Sequence, residues 1–313
     1  MKKFAFVFPG QGSQALKMMD HLLQYKVVQD RFTEAQAITG VDYLAMLQDE
    51  TDQRINQTVN TQPLMLIADI AYYDLWIRTT KAIPDLVFGH SLGEFAALVV
   101  SGVISFADAL RIVVLRAKYM QEAVPIGVGA MAAALGASEE QVTLACNNAS
   151  AKTGLVVAGV NYNAPGQIVI AGHTDAVNQA AEELKIMGVR KVQLLAVSIP
   201  SHSILMKPAA DRLAVDLNMV QFNVPKIAVI QNVNAQVVNN LDEIKFNLVQ
   251  QLYSPVQWVR SVQTALSMGI VDLVECGPKK ILSANNKRID ESVVVHKFEN
   301  IDEINSLYSI LAN

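Results

Sequence analysis

The chain has 313 residues, of which 51% are hydrophobic and 17% are charged. Globular proteins average about 25% charged residues, so this apolar composition excludes a largely disordered chain. A net charge of −4, with no cluster of Lys and Arg, argues against nucleic-acid binding. Cys146 and Cys276 lie far apart and form no CxxC motif, so neither a zinc site nor a disulfide framework is expected.

The N-terminal segment predicts a buried β-strand rather than a signal peptide. Phe4–Phe8 is an apolar run of five residues that meets Pro9 and Gly10, whereas a signal peptide needs an apolar core of roughly 7–15 residues. No run in the sequence reaches the ~18 apolar residues of a membrane-spanning helix. We therefore expect a cytoplasmic protein with no membrane attachment.

Strand and helix signals alternate through the first 125 residues. In chain order they predict a strand at Phe4–Phe8, a helix at about 63–77, a strand at 86–88, and helices at about 92–101 and 105–124. Pro63 is expected in a first helical turn, where the missing N–H of proline is not needed. Ser105, with Asp108 three residues later, predicts a helix cap.

The middle of the chain predicts a separate small domain. Here the order of elements is β-α-β-β-α-β, which is typical of a ferredoxin-like unit. The predicted elements are a strand at 127–135, a helix at 139–148, strands at 155–160 and 167–171, a helix at 175–187 and a strand at 190–197. Between the two central strands, residues 161–166 predict a turn-rich link.

Together these signals predict an α/β fold with two domains. The large domain, an α/β-hydrolase-like unit with a parallel sheet, is expected to be discontinuous and to comprise residues 1–125 and 198–313. The ferredoxin-like (βαββαβ) small domain is expected as an insertion at residues 126–197. Three further strands are predicted in the second half of the large domain, at about 227–230, 271–275 and 293–296.

The first candidate site is the G-x-S-x-G sequence at residues 89–93, between a predicted strand and a predicted helix. A sharp turn at this place exposes the oxygen of Ser91, and small flanking residues relieve crowding. The helix that follows offers unpaired N–H groups and a positive dipole end to a developing oxyanion. This context favours a nucleophile, and a plain helix-capping serine is the alternative.

A nucleophilic serine needs a base, and five histidines are available. His202 follows a predicted strand and lies in a short loop, a position that often carries catalytic groups. A helix-capping loop with a partly exposed histidine is the alternative interpretation. His90 lies too close to Ser91 within the same turn, His21 follows a polar turn, His173 ends a predicted strand and His296 lies near the C-terminus.

Helical periodicity places Arg116 on the edge of an apolar stripe, whereas Arg111 falls on the far side of the same helix. An arginine at such a boundary commonly extends to solvent or pairs with an acid. The alternative is a guanidinium that points into a pocket and binds a carboxylate with two hydrogen bonds. Periodicity alone leaves both interpretations open.

The glycine-rich segment after the first strand has two interpretations. Residues 10–15 spell G-x-G-x-x-A and Asp30 follows 20 residues after Gly10, as in a dinucleotide-binding motif. Pro9 directly after the strand, and the lack of a clear second strand, argue against that motif. The competing interpretation is a loop whose glycines let backbone N–H groups approach a reaction centre.

These motifs together resemble one family, the malonyl-CoA:acyl-carrier-protein transacylases of fatty acid synthesis. The matching stretches follow the family's order over almost the whole chain: FVFPGQGSQ (6–14), GHSLGE (89–94), MQEAVP (120–125) with GAM (129–131), NYN (161–163) with PGQ (165–167), PSH (200–202), and QLY (251–253) with PVQW (255–258). The resemblance implies an acyltransferase with a ferredoxin-like insertion, in agreement with the predicted elements.

The resemblance also implies roles for individual residues. Ser91 is the expected nucleophile, and His202 is its expected base. Arg116 is expected to bind the free carboxylate of the malonyl group. The backbone N–H groups of Gln11 and Leu92 are expected to form the oxyanion hole.

Further properties are implied by the same resemblance. A backbone carbonyl at the position of Gln251, rather than an acid, is expected to orient the histidine. The reaction partners are expected to be malonyl-CoA and holo acyl carrier protein, which react by a ping-pong mechanism through a malonyl-serine. No metal or cofactor is expected, because the phosphopantetheine belongs to the carrier, and the protein is expected to be a monomer. The sequence Gly277-Pro278-Lys279 departs from the Gly-Pro-Gly that is usual in the family.

The resemblance also implies an acidic carrier, which would require a local basic patch on a chain with a net negative charge. Arg190-Lys191 and Lys287-Arg288 are the candidates for carrier binding, and ordinary solvated surface is the alternative interpretation.

Three other functions are alternatives at this point. A serine hydrolase would need an acid, such as Asp175, between Ser91 and His202, although the 111 residues after His202 are more than an α/β-hydrolase usually has. A dinucleotide-binding protein would use the glycines of residues 10–15. A carrier-binding module would share the surface but not the chemistry.

Overall fold

The computed structural model describes residues 1–197 and 199–313 of the chain. Its strands are β1 (Phe4–Phe8), β2 (Leu86–Gly89), β3 (Gly129–Leu135), β4 (Val157–Ala164), β5 (Gln167–His173), β6 (Lys191–Leu194), β7 (Ala228–Ile230), β8 (Asp272–Glu275) and β9 (Val294–His296). Its α-helices are α1 (Lys26–Thr39), α2 (Tyr43–Gln48), α3 (Thr58–Thr80), α4 (Gly93–Val100), α5 (Phe106–Ala123), α6 (Glu139–Thr153), α7 (Thr174–Ile186), α8 (Lys207–Asn218), α9 (Leu241–Gln251), α10 (Trp258–Ser267), α11 (Ile281–Ile289) and α12 (Ile301–Ala312).

A parallel sheet with the strand order β7-β2-β1-β8-β9 forms the centre of the molecule. All five residues of β1 are fully buried because both faces of this central strand are covered. Its phenylalanines pack with α3 on one face, and Ala5 and Val7 pack with α10 on the other. The predicted α/β class with a parallel sheet is therefore confirmed.

A second, antiparallel sheet has the strand order β4-β5-β3-β6. Together with α6 and α7, its strands follow in the order βαββαβ, so the predicted ferredoxin-like unit is confirmed. Ser138 and Gln141 form a capping box that begins α6. The domain boundaries stay predictions, and residue 198, the predicted start of the second large-domain segment, lies outside the described residues.

Several predicted element boundaries are wrong. The helix predicted at 139–148 continues to Thr153, and the strand predicted at 190–197 ends at Leu194. The helix predicted to open at Pro63 begins five residues earlier, because Thr61 already donates its backbone N–H to Gln57, and Pro63 therefore lies inside α3. The link predicted at 161–166 shortens to a two-residue turn, because β4 continues to Ala164. The register of β4 with β5 shifts twice, between Gly159 and Asn161 and between Tyr162 and Ala164.

The glycine-rich segment after β1 does not lead into a helix. Residues 11–19 form turns and loop, and the next helical segment is a short 3-10 helix at Asp20–Leu22. A dinucleotide-binding motif needs a helix directly after its glycines, so that interpretation of residues 10–15 is wrong. Among the described residues, no helix has the length and apolar character that crossing a membrane requires.

Candidate active site

Ser91 lies on the sharp turn between β2 and α4. Its backbone φ is +52°, in the left-handed region that non-glycine residues rarely adopt. A Cβ on Gly89 would lie 2.0 Å from the backbone of Gly93, and a Cβ on Gly93 would lie 2.1 Å from the backbone oxygen of Phe8. Only glycine fits at these two positions, and their close packing holds the turn against the carboxyl end of β1.

His202 faces Ser91 directly, although 111 positions separate the two residues in the chain. Its Nε2 lies 2.8 Å from Ser91 Oγ, and its Nδ1 lies 2.6 Å from the backbone oxygen of Gln251. Because a carbonyl oxygen can only accept, the proton of the neutral ring lies on Nδ1. Nε2 is therefore free to accept the proton of the serine hydroxyl.

The other histidines have different partners: His21 bonds to Tyr72, His90 to Asn163, His173 accepts from the backbone N–H of Val156, and His296 bonds to Asp272. The hydrolase alternative expected an acid such as Asp175 to orient the base. Asp175 instead lines a separate surface groove between α7 and β6. A carbonyl oxygen occupies the position that an acid would have in that class of enzyme.

The environment of His202 keeps its ring neutral. Burial, assisted by the positive charge of Arg116, lowers the pKa of His202 to about 3. The backbone φ of His202 is +65°, and its N–H donates to the backbone oxygen of Leu252 at 3.0 Å. These contacts hold the imidazole in the form and orientation that a base requires.

Arg116 is only 1% exposed, so its side chain does not extend to solvent. Its Nη2 donates to Ser91 Oγ at 3.2 Å and to Gln251 Oε1 at 2.8 Å, and its Nη1 donates to Gln62 Oε1. Burial lowers the pKa of Arg116 to about 10, which leaves it charged at neutral pH. The guanidinium therefore lies at the cavity and not in solvent, and its binding of a carboxylate stays a prediction.

A cavity of about 620 Å³ opens at Ser91. Gln11 and Leu92 both line it, and within the described part of the chain their backbone N–H groups have no backbone acceptor. The side chain of Gln11 accepts a hydrogen bond from Thr58 at 2.6 Å, which ties its loop to α3. The antiparallel sheet contributes Met131, Asn161, Asn163 and Val169 to the cavity wall, and the segment after β6 adds the apolar residues Leu195, Ala196 and Val197.

A buried polar network behind Ser91 was missed by the sequence analysis. Asn232 Oδ1 accepts the backbone N–H of Ser91 at 2.7 Å, and its Nδ2 donates to the backbone oxygen of Gly89 at 2.6 Å. Glu94 is fully buried and accepts from the side chain of Gln251 at 2.8 Å. The only sequence signal for Glu94 was its place at the end of the GHSLGE stretch, and Asn232 had none.

Comparison with known proteins identifies the family. The profile of the acyl transferase domain family matches residues 5–301. The malonyl CoA-acyl carrier protein transacylase of Escherichia coli (strain K12) is 47% identical over 294 residues, which is 94% of each chain. The corresponding protein of Haemophilus influenzae is 45% identical over 291 residues, covering 92% of this chain and 93% of that one. The chain belongs to the malonyl CoA-acyl carrier protein transacylase family.

Solved structures of transacylases show the same fold. The transacylase of Coxiella burnetii superposes with a TM-score of 0.97 at 40% identity, covering 100% of this chain and 98% of that one. A malonyl-transacylase in complex with its holo type II PKS acyl-carrier protein superposes with a TM-score of 0.95 at 40% identity, covering 98% of this chain and 99% of that one. This membership makes the protein an acyltransferase, in agreement with the resemblance seen in the sequence.

The departure from the transacylase family's usual Gly-Pro-Gly has a structural explanation. Lys279 has a φ of +63°, a conformation that normally favours glycine. Its Nζ donates to the backbone oxygen of Gln14 at 2.9 Å. The substitution thus adds a link between the loop after β8 and the loop that carries Gln11.

The four basic residues predicted to bind a carrier lie outside the cavity lining. Arg190, Lys191 and Lys287 are exposed. Arg288 is exposed as well, but its guanidinium donates to Gln167 Oε1 at 2.6 Å and to the backbone oxygen of Pro165 at 2.9 Å. Arg288 therefore joins α11 to the β4–β5 turn, and carrier binding by these residues stays a prediction.

Proposed function

We propose that the protein transfers the malonyl group from malonyl-CoA to the phosphopantetheine thiol of holo acyl carrier protein through a malonyl-serine at Ser91. The observation that carries this proposal is the position of the Arg116 guanidinium, 3.2 Å from Ser91 Oγ inside the cavity. A buried cation beside a serine–histidine pair is suited to an acyl group that ends in a carboxylate. Malonyl is such a group, and the names of the transacylase relatives support the same choice.

In the first half-reaction, His202 Nε2 takes the proton of Ser91 Oγ as this oxygen attacks the thioester carbonyl of malonyl-CoA. The carbonyl oxygen becomes negatively charged and accepts hydrogen bonds from the backbone N–H groups of Gln11 and Leu92. One donor of this kind is worth on the order of 10²–10³ in rate. Collapse of the intermediate expels CoA, whose sulfur takes the proton from His202, and leaves a malonyl ester on Ser91.

The second half-reaction repeats the same steps with a different nucleophile. His202 takes the proton of the carrier's phosphopantetheine thiol, and the thiolate attacks the ester carbonyl. The same two N–H groups stabilise the negative oxygen, and Ser91 leaves with the proton that His202 returns. The products are malonyl carrier protein and free enzyme, in agreement with ping-pong kinetics.

Arg116 would give the reaction its specificity. Its N–H groups donate to neutral oxygens of Gln62, Gln251 and Ser91. A malonyl carboxylate offers a stronger, charge-assisted pair of acceptors. Pairing with this carboxylate also offsets the positive charge that lowers the pKa of His202, and so makes the base stronger when the correct substrate is bound.

The remaining parts of the proposal concern the protein's context. We propose a cytoplasmic monomer that supplies malonyl carrier protein for fatty acid chain elongation and requires no cofactor. The support is the transacylase membership together with a cavity in which the protein's own residues can perform every proton transfer.

Arg116→Ala tests the specificity. The variant and the wild type are mixed with holo carrier and either malonyl-CoA or acetyl-CoA, and the acylated carrier is measured by mass spectrometry. Loss of one partner of a buried charge pair costs about 2–5 kcal/mol, so malonyl transfer should fall between ~30-fold and several thousand-fold. Acetyl transfer should fall much less, because acetyl has no carboxylate. Equal losses for the two acyl groups would contradict the role of Arg116.

A further inference from the structure

Arg116 is a buried cation that contacts no carboxylate among the described residues. A buried charge without compensation is costly, so an opposite charge is expected close to it. Glu94 is the nearby candidate: it is fully buried, and its negative charge acts on Arg116. The two residues do not touch, because the side chain of Gln251 lies between them.

The partners of Glu94 show which form its carboxyl group takes. It accepts from Gln251 Nε2 at 2.8 Å, from the backbone N–H of Asn232 at 3.1 Å and from Gln231 Nε2 at 3.1 Å. All three partners are donors, and a protonated acid would need an acceptor for its own O–H. Burial raises the pKa of Glu94 above its ordinary value, although these hydrogen bonds oppose the shift. The set of three donors around the carboxyl group nevertheless matches a carboxylate.

Gln251 connects the two charges in one orientation only. Its Nε2 donates both to Glu94 Oε2 and to the backbone oxygen of Ser91, at 2.8 Å and 2.9 Å. Both of these neighbours are acceptors, so the amide cannot rotate by half a turn without placing its oxygen against them. Gln251 Oε1 is therefore held toward Arg116.

An amide between the charges has a chemical advantage over a direct ion pair. A carboxylate in direct contact with Arg116 would occupy the same N–H donors that a malonyl carboxylate needs, and the substrate would have to displace it. A neutral amide oxygen is a weaker acceptor and is displaced more easily. Glu94 can thus balance the charge of the guanidinium without competing for it.

We propose that Glu94 is a positioning residue for substrate recognition: acting through Gln251, it holds the Arg116 guanidinium in place and balances its charge while leaving its donors available to a substrate carboxylate. This inference rests on the proposed function, since it assumes that Arg116 binds the malonyl group. Glu94 does not line the cavity and is not a catalytic residue.

The test is Glu94→Gln, which keeps the shape of the side chain and removes its charge. The new NH₂ group faces N–H donors, so at least one hydrogen bond is lost, and the Gln251 amide no longer donates to a charged acceptor. We expect the rate of Ser91 malonylation from malonyl-CoA to fall by about 10- to 100-fold, as for a hydrogen bond to a charged group. The rate of acetylation from acetyl-CoA should change much less.

Two controls separate positioning from general damage. Glu275→Gln changes another fully buried glutamate, which accepts the backbone N–H groups of Leu282 and Ser283 at the start of α11. This variant should leave the ratio of malonylation to acetylation unchanged. In an Arg116→Ala background, Glu94→Gln should cause no further selective loss, because the two residues act as a unit.

The outcomes distinguish this inference from the proposed function. If wild-type protein forms no malonyl-serine, the proposed function fails. If the wild type is malonylated but Glu94→Gln slows malonylation and acetylation equally, Glu94 has only a structural role. A full selective loss that persists in the Arg116→Ala background would overturn the coupling through Gln251.

Discussion

The parallel and antiparallel sheets of this protein contribute to one cavity in different ways. The parallel sheet region holds Ser91, His202 and Arg116 in a buried polar network that includes Asn232 and Gln251. The antiparallel sheet has a core of small and branched apolar residues and gives the cavity a wall without charged side chains among its described lining residues. One region positions charges, and the other shapes the space around them.

This difference shows why the polar groups lie where they do. Parallel strands place several chain segments at the same sheet edge, and helix N-termini and loops begin there. Residues distant in sequence can therefore form one network, as Glu94 and Gln251 do across 157 positions. The antiparallel sheet reaches this network through a single described side-chain hydrogen bond to the Ser91 turn, 2.8 Å between His90 and Asn163.

The largest expected effect compares Gly93, at the start of α4 beside the parallel sheet, with Gly172 in the antiparallel sheet. A Cβ on Gly93 would lie 2.1 Å from the backbone oxygen of Phe8, and a Cβ on Gly172 would lie 2.0 Å from that of Val156. We expect Gly93→Ala and Gly172→Ala each to destabilise the fold by about 1–3 kcal/mol or more, because the backbones must separate. Only Gly93→Ala displaces the Ser91 turn, so it alone should abolish malonylation per folded molecule.

Urea unfolding and active-site labelling of the folded fraction measure the two effects separately. Equal loss of malonylation in both alanine variants would show that the antiparallel sheet also positions the reacting groups, and would remove the distinction between the two regions.

The next largest effect concerns acid stability, which we expect to depend on the parallel sheet region. His202 has a pKa of about 3 in the folded protein and about 6.5 when unfolded, so the unfolded chain binds the extra proton between these values. The contribution of neutral His202 to the free energy of unfolding is fully present above pH 6.5 and decreases as the pH falls. By pH 4 the free energy of unfolding has decreased by on the order of 3 kcal/mol.

His202→Asn removes this titration, and asparagine tolerates the left-handed backbone at this position. The variant's free energy of unfolding, measured from pH 7 to pH 4, should therefore fall less steeply than that of the wild type. Parallel curves for the two proteins would contradict a neutral buried His202.

The smallest effect concerns the surface and the carrier. Charge reversal of Arg190, Lys191 and Lys287 to glutamate should raise the apparent KM for holo carrier several-fold, because rim charges mainly affect association. The KM for malonyl-CoA should not change. Arg288→Glu is not included in this triple variant, because it would also break the contact of Arg288 with the β4–β5 turn. An unchanged KM for carrier in the triple variant would dismiss this patch.

The order of the elements and several helix caps could be predicted from the sequence because they depend on local patterns. Ser105 does cap α5, and the elements of the small domain follow along the chain in the predicted order βαββαβ. The start of α3 was misplaced because proline is tolerated inside that helix, which the local rule for Pro63 does not anticipate. Long-range partners set such boundaries as much as local sequence does.

The candidate site was predicted only in part, for a similar reason. The Ser91 turn is a local feature, but periodicity alone placed Arg116 at the edge of a stripe and could not show its burial. The family resemblance supplied the pairing with His202 and Gln251. The roles of Glu94 and Asn232 could not be assigned, because their hydrogen-bond partners are distant in the sequence and no motif or spacing predicts these contacts.

The most direct test of the account is intact-protein mass spectrometry after mixing with malonyl-CoA in the absence of carrier, beside a Ser91→Ala control. The account predicts a single malonyl-sized adduct on the wild type alone, which added holo carrier then discharges. Release of CoA without any adduct would point to hydrolysis and contradict a stable acyl-enzyme. If no adduct forms and no CoA is released, the proposed reaction is contradicted, and a binding module or a different substrate is favoured.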